Sequence, residues 1–281
     1  MKNKILVKLL IPGIIFLASF LLPVYNFVFD IPTLLTVISL IFAILVGFFI
    51  ATATTNYLRL QSLVVEEDST LMGIYNLSKI IKPASTLKMK ETIDRYATAA
   101  LDFELFEYVQ KTQDKFNDVL LCIDEVTPQD PKGFELFGNL HDNRNSLVRT
   151  RQEIAMVAKR IVTPLHWTVL IILAVLLVFL LLGLRDGFWI VSLITGILSL
   201  ATYLVLVLLY EVDSNIFLEE LLAYENSQQI FQAIGTPKYF PEQALLEKRI
   251  KAPKEDYRVG IYKDYPNSLE KEIKLIHKLE D

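Results

Sequence analysis

Two stretches of this chain, 161–184 and 187–210, contain no Asp, Glu, Lys or Arg. Each exceeds the roughly 20 apolar residues a helix needs to cross a hydrocarbon core. An earlier pair, 9–29 and 31–58, is equally free of charge. Only 21% of the residues are charged, and most of them fall in 59–160 and after Tyr210, whereas a water-soluble domain spreads charge over every amphipathic element. The expected fold class is therefore all-α. It is a four-span integral membrane protein, with a helical cytoplasmic insert between spans two and three and a helical cytoplasmic tail. The expected spans cover about 6–28, 32–57, 161–184 and 187–210. The first hairpin then occupies 1–58, the insert 59–160, the second hairpin 161–210 and the tail 211–281.

The basic residues set the orientation. Lys2, Lys4 and Lys8 precede span one, Arg59 follows span two, and Lys159 and Arg160 abut span three. The one–two connection, 23–31, has no Lys or Arg, and the three–four connection has only Arg185. The positive-inside rule places the insert and both termini in the cytoplasm, as expected for a multi-pass protein of the inner (plasma) membrane. Trp167, Trp189 and Tyr210 sit where aromatic rings prefer the headgroup level. The basic start followed by the apolar run Leu9–Leu22 has the order of a secretory leader. Phe20-Leu21-Leu22 spoils the cleavage pattern, so a retained first span is expected.

Several functional classes are disfavoured. A net charge of −4 argues against nucleic acid as a partner. The single cysteine, Cys122, excludes an internal disulfide and a multi-cysteine metal site, and it reads as a buried helix-face residue. There is no Gly-rich dinucleotide fingerprint, P-loop, HExxH or GxSxG. His141, His166 and His277 lack metal-ligand spacing, and His166 reads as a half-solvated residue beside Trp167. No enzyme activity, cofactor or metal is expected. No charged residue lies in the centre of any span, which argues against a proton-coupled pump but not against a channel with a hydrophobic constriction.

The insert reads as helices. Leu60, Leu63, Val64, Leu71, Ile74, Tyr75 and Leu77 keep helical spacing from span two as far as Pro83. A second stretch carries Ile93, Tyr96, Ala97, Ala100, Leu101, Glu104 and Tyr108, and a third Phe116, Val119, Leu120 and Ile123. Thr127 to Gly133 breaks the pattern. Phe134 to Arg160 then predicts one helix feeding span three, with a kink at Pro164. In the tail, Ile216 to Phe231 predicts a helix stopped by Gly235-Thr236-Pro237. Pro241 opens another over Glu242 to Lys251. Asn267 followed by Glu270 resembles a capping box opening a last helix, with Leu269, Ile273 and Ile276 on one face. No strand is predicted.

Two groups of residues are candidates for function. Leu40, Ile44 and Phe48 are four residues apart and stack on one face of span two, and Thr52, Thr55, Asn56 and Arg59 continue that side. An apolar neck opening into a hydroxyl-lined vestibule is one account of this pattern; ordinary packing against other spans is the other. Glu66, Glu67 and Asp68 follow span two, and Glu211, Asp213, Glu219 and Glu220 follow span four. With Arg149 and Arg151 they are candidates for an ion-pair or cation cluster, against the alternative of a solvated acidic face.

The run Ile44-Leu45-Val46-Gly47-Phe48-Phe49-Ile50 resembles the pore-lining second helix of bestrophins, pentameric anion channels with four spans per subunit. The uncharacterised bacterial bestrophin-like family is more similar still. Glu67 soon after span two, Leu71 to Tyr75, Tyr96, Phe103-Glu104, and Arg149 and Arg151 before span three match its pattern in order. The resemblance implies that Leu40, Ile44 and Phe48 are the three neck positions. Where bestrophins carry an Arg and two Trp after span two, this chain has Asn56, Tyr57 and Leu58. The dense acidic calcium-sensing cluster of animal bestrophins is missing, and no basic ring supports anion selectivity.

One four-span subunit supplies one such helix, so a pore requires a ring of subunits. The function expected is a homo-oligomeric, pentameric bestrophin-like channel in the lipid bilayer, with small anions as permeants. A non-conducting scaffold or sensor whose cytoplasmic helices bind a partner is the alternative from a different class. An accessory subunit of a transporter is a third.

Overall fold

The structure, a computed structural model, describes residues 2–24, 30–102, 105–214, 228–246, 250, 255–264 and 268–277. Helices dominate it: α1 (Lys2–Leu21), α2 (Ile31–Ile81), α3 (Thr86–Ala100), α4 (Leu105–Lys111), α5 (Gln113–Asp124), α6 (Pro131–Val157), α7 (Pro164–Gly183), α8 (Trp189–Asp213), α9 (Gln228–Ala233) and α10 (Glu242–Leu246). The expectation of an all-α chain fails in the tail. There β1 (Lys238–Pro241), β2 (Tyr257–Asp264) and β3 (Ser268–Ile276) form one sheet in the order β1-β2-β3. β1 runs parallel to β2, and β3 is antiparallel to it. The last predicted helix is thus strand β3, and Asn267, its expected cap, lies outside the described residues.

The chain divides into two compact units, Met1–Thr55 with Arg160–Ser214, and Asn56–Lys159 with Asn215–Asp281. In the first, the apolar unit, α2, α7 and α8 are each long and apolar enough to cross a membrane, and α1 carries the shorter apolar segment Ile11–Leu21. Helix α1 stops at Leu21, short of the predicted end of span one, and residues 25–29 lie outside the described residues. Phe42, Val46 and Phe49 of α2 pack with Leu170, Ala174, Leu177 and Leu181 of α7 and Leu209 of α8. Helices α1 and α8 come together over small residues: Ser192, Thr195, Gly196, Ser199 and Thr202 are all buried. A β-carbon on Gly196 would stand 2.6 Å from Ser19 Oγ, so only glycine admits α1 at this depth.

The predicted kink at Pro164 is instead a break between two helices. Helix α6 ends at Val157, and α7 begins at Pro164, where the missing N–H costs nothing. Thr163 and His166 form a reciprocal cap: the Thr163 hydroxyl oxygen accepts from the His166 N–H, and His166 Nδ1 accepts from the Thr163 N–H. This fixes His166 as a capping residue whose ring also lies 4.9 Å from that of Phe49. The backbone N–H groups of Ile161 and Val162, in the break, donate to Asp213 Oδ1 at 2.9 and 3.1 Å.

The second, polar unit has its own core. Leu71, Ile74 and Tyr75 of α2 meet Met89, Ile93 and Tyr96 of α3, Phe116, Val119 and Ile123 of α5, and Leu140 and Leu147 of α6. Asp130 caps α6 by accepting from the Gly133 N–H at 2.6 Å, and Pro131 occupies its first turn. The tail joins this core through Ile230, Phe231, Ile234 and Tyr239.

Candidate functional site

Helix α2 has two unlike sides in the apolar unit. Phe42, Val46 and Phe49 are buried, whereas Leu40, Ile44 and Phe48 are 61%, 62% and 62% exposed. Four-residue spacing on a 3.6-residue helix aligns the exposed three. Gly47 lies beside them, and a β-carbon there would have no neighbour within 4 Å. Thr55 is exposed, and Thr52 and Asn56 are half-buried. The Thr52 hydroxyl donates to the Phe48 carbonyl at 2.8 Å and the Thr55 hydroxyl to the Ala51 carbonyl at 2.9 Å. These hydroxyls therefore present polar atoms without an unmet donor. Farther along α2, in the polar unit, Arg59 is exposed and forms an ion pair with Glu153 of α6.

In the polar unit, part of the expected ionic cluster assembles deep in the core. Arg151 and Glu67 are 3% and 4% exposed, with Arg151 Nη1 3.7 Å from Glu67 Oε1. Tyr96 stands between them: its hydroxyl donates to Glu67 Oε1 at 2.7 Å and accepts from Arg151 Nη1 at 2.5 Å. Arg151 Nη2 donates to the Val109 carbonyl at 2.6 Å and to Thr112 Oγ1 at 2.9 Å, and the guanidinium lies 4.2 Å from the centre of the Phe116 ring. Burial and the Glu67 charge raise the Tyr96 pKa well above its ordinary value, so the phenol stays a donor. The arrangement ties α2, α3, α5 and α6 together and leaves Glu67 committed to protein donors, not to a cation.

The other expected members are placed differently. Thr150 donates to Glu66 at 3.1 Å, while Arg149 is exposed. Asp213 belongs to the apolar unit, where it holds Ile161 and Val162, and Glu211 is half-buried on α8. Phe103, Glu104, Glu219 and Glu220 lie outside the described residues. Among the described residues no group of three His, Cys, Asp or Glu side chains is arranged to hold a metal ion.

Two sites went unread in the sequence. Arg185 is buried and donates from Nε to the Leu182 carbonyl at 2.9 Å, from Nη1 to the Ser19 and Leu22 carbonyls at 2.8 and 3.1 Å, and from Nη2 to the Pro23 carbonyl at 3.1 Å. One guanidinium thus satisfies a last-turn carbonyl of α1 and two just beyond its end, and fastens that end to the end of α7. The tail is fastened by two carboxylates about two helical turns apart at α3. Arg258 grips Asp94 with both terminal nitrogens, at 2.7 and 2.6 Å. Asp102 pairs with Lys271 and accepts from the Tyr239 and Tyr262 hydroxyls at 2.8 and 2.6 Å. Burial lowers the Lys271 pKa against the pull of Asp102, and burial raises that of Tyr239. The only sequence signal was the eight-residue interval between Asp94 and Asp102, which identifies no partner.

The Bestrophin-like domain family matches residues 31–215. Among solved structures, a point variant of a bacterial bestrophin homolog from Klebsiella pneumoniae superposes with a TM-score of 0.61 at 11% identity, covering 82% of this chain and 97% of that one. A second crystal structure of a bestrophin homolog from that organism gives 0.60 at 11% identity, over 83% and 99%. A structure described as a membrane protein gives 0.61 at 12% identity, over 83% and 99%. No curated protein matches the chain.

Proposed function

The chain belongs to the Bestrophin-like domain family, and from that premise we propose that it is one subunit of a homo-oligomeric channel that passes small anions through a neck lined by α2. The observation that carries the proposal is the exposed face of α2. Leu40, Ile44 and Phe48 present large apolar side chains there, while the opposite side is consumed by packing on α7 and α8. Each chain supplies one such helix, so a ring of copies, five by resemblance to the family, closes the pore around a symmetry axis. The apolar rings form the constriction, and the hydroxyls of Thr52 and Thr55 with Asn56 line the wider part beyond it. The positive-inside pattern supports a cytoplasmic position for this vestibule and both termini in an inner-membrane protein.

Selectivity follows from the neck's chemistry. Arg59 is paired with Glu153, so no ring of net charge stands at the vestibule. An ion crossing an apolar neck sheds water, and the dehydration cost is lowest for large, weakly hydrated anions. Iodide and nitrate are expected to pass more readily than chloride.

Cysteine substitution tests the pore face directly. A water-soluble thiol reagent is expected to modify cysteines at positions 40, 44, 48, 52 and 55, which line water, and to spare those at 42, 46 and 49. Ala43 is also exposed but sits about 100° round the helix from Ile44, and it serves as the lipid-facing comparison. Equal inertness of Leu40→Cys, Thr52→Cys and Ala43→Cys would falsify the assignment.

A further inference from the structure

The sheet of the tail has one edge, β3, that pairs with no further strand among the described residues. Strand β2 is central, and β1, the short edge ending in Pro241, is largely buried. Strand β3 has β2 on one side only, runs for nine residues without Gly or Pro, and exposes Glu270, Glu272, Ile273, Lys274, Leu275 and Ile276. A long uncapped edge with apolar residues is a template for another strand.

The charge pattern of this edge selects its partner. Alternation puts Lys271, which meets Asp102, on one face with Ile273 and Leu275. Glu272 and Lys274 share the other face, 3.7 Å apart. An antiparallel pair of identical strands centred on Ile273 sets Glu272 opposite Lys274 twice, and Ile273 opposite Ile273. Centring on Lys274 opposes Lys274 to itself, and centring on Glu272 opposes Glu272 to itself beside two Glu270–Lys274 pairs. The Ile273 register opposes no like charges among Glu270, Lys271, Glu272 and Lys274. We propose that β3 pairs antiparallel with β3 of a second copy of this chain, in the register centred on Ile273, and so joins two copies through a continuous six-stranded sheet.

Such a contact is isologous, the same patch on both partners, whereas neighbours in a five-membered ring meet through unlike patches. It therefore links one assembly to another and is independent of the pore. Whatever mass a single assembly has, strand pairing doubles it.

Native mass spectrometry of the full-length chain in detergent tests this. Wild type is expected at twice the mass of Glu272→Lys and of Lys274→Glu, each of which opposes like charges across the pair. The double swap, Glu272→Lys with Lys274→Glu, restores complementarity and is expected to restore the doubled mass. Both side chains lie on the face away from Asp102, so the tail's own attachment is spared. Equal masses for all four proteins, or a swap that fails to restore, overturn the proposal. A second measurement does not depend on charge reversal. Ile273→Cys is expected to form a disulfide between copies, because directly opposed residues have Cα atoms about 4.5–5.5 Å apart. Leu275→Cys is expected to form none, its counterpart being four residues along the partner strand, roughly 13 Å away. Cys122 is buried, so wild type supplies the background. Crosslinking at 275 and not at 273 overturns the register.

Discussion

The phenol of Tyr239 lies directly over Gly260: a β-carbon on that glycine would overlap the phenolic oxygen and stand 3.2 Å from Lys271 Cδ. The glycine is a passage. It lets Tyr239 reach from β1 across β2 to Asp102 and Lys271, at 2.8 and 2.7 Å. An aromatic ring covering a strand glycine also repairs the gap that the missing side chain leaves.

Gly260→Ala is expected to push Tyr239 off this path and loosen the tail. The overpacking cost is about 1–3 kcal/mol. Limited proteolysis of the native protein reads it out: the tail sheet should be cut well before the helices of the polar unit. Unchanged cleavage would mean that the ring is not seated on Gly260.

Arg151→Met leaves Glu67 buried with Tyr96 but without its cation. Breaking one side of a buried pair costs about 3–5 kcal/mol. Removing Glu67 as well, in Arg151→Met with Glu67→Gln, should recover a large part of that loss. Thermal unfolding in detergent measures both, and additive losses would show that the two residues do not interact. Arg151→Lys is expected to resemble Arg151→Met, since an ammonium cannot reach Tyr96, Thr112 and the Val109 carbonyl together.

Alkaline pH should destabilise the polar unit through its buried tyrosines. Tyr96 and Tyr239 both have pKa values raised above 10.0, chiefly by burial. A folded-state pKa above the unfolded one gives stability that is complete below the unfolded value and lost as pH climbs past it toward the folded value. The loss begins above pH ~10. Lys271 acts oppositely: burial lowers its pKa below 10.5, so its unfavourable contribution is relieved as pH rises from that lowered value to 10.5, before most of the tyrosine loss. Tyr96→Phe should flatten the alkaline decline, and in wild type these two phenols should ionise only as the chain unfolds. Ultraviolet titration showing every tyrosine ionised before unfolding would contradict this.

Arg185→Lys keeps the charge at the end of α7 yet is expected to destabilise the apolar unit. One ammonium cannot serve the four carbonyls of Ser19, Leu22, Pro23 and Leu182, and each buried acceptor left unmet costs roughly 1–3 kcal/mol. A lower midpoint for loss of the folded protein from detergent extracts checks it, with Arg185→Gln falling at least as far.

Elements set by local composition were legible in the sequence, and those set by distant partners were not. Absence of charge marked α2, α7 and α8, whereas the start of α6 at Pro131 fell inside the break expected over Thr127 to Gly133. The stop at Gly235 was legible because its positive φ of 68° suits glycine. Strand β3 was misread because Leu269, Ile273 and Ile276 fit a helical period, while Lys271, Ile273 and Leu275 fit a strand period equally well. Pairing with β2 decides between them, and that contact is non-local. Tyr257, Val259 and Ile261 of β2 did alternate and could have been found. The same limit hid Arg185 and the pairs Asp94–Arg258 and Asp102–Lys271. Their residue types were plain, but their partners lie more than 150 residues away in sequence. For the proposed neck, the spacing of Leu40, Ile44 and Phe48 gave the alignment, and only the structure separated this exposed side from the packed one.

Ion flux from lipid vesicles holding the reconstituted full-length chain bears most directly on the pore. Wild type should release small anions, and Ile44→Ala and Phe48→Ala, by widening the apolar neck, should release them faster, with iodide ahead of chloride. Vesicles that stay tight with all three proteins would contradict the channel and leave the cytoplasmic scaffold as the account of this chain.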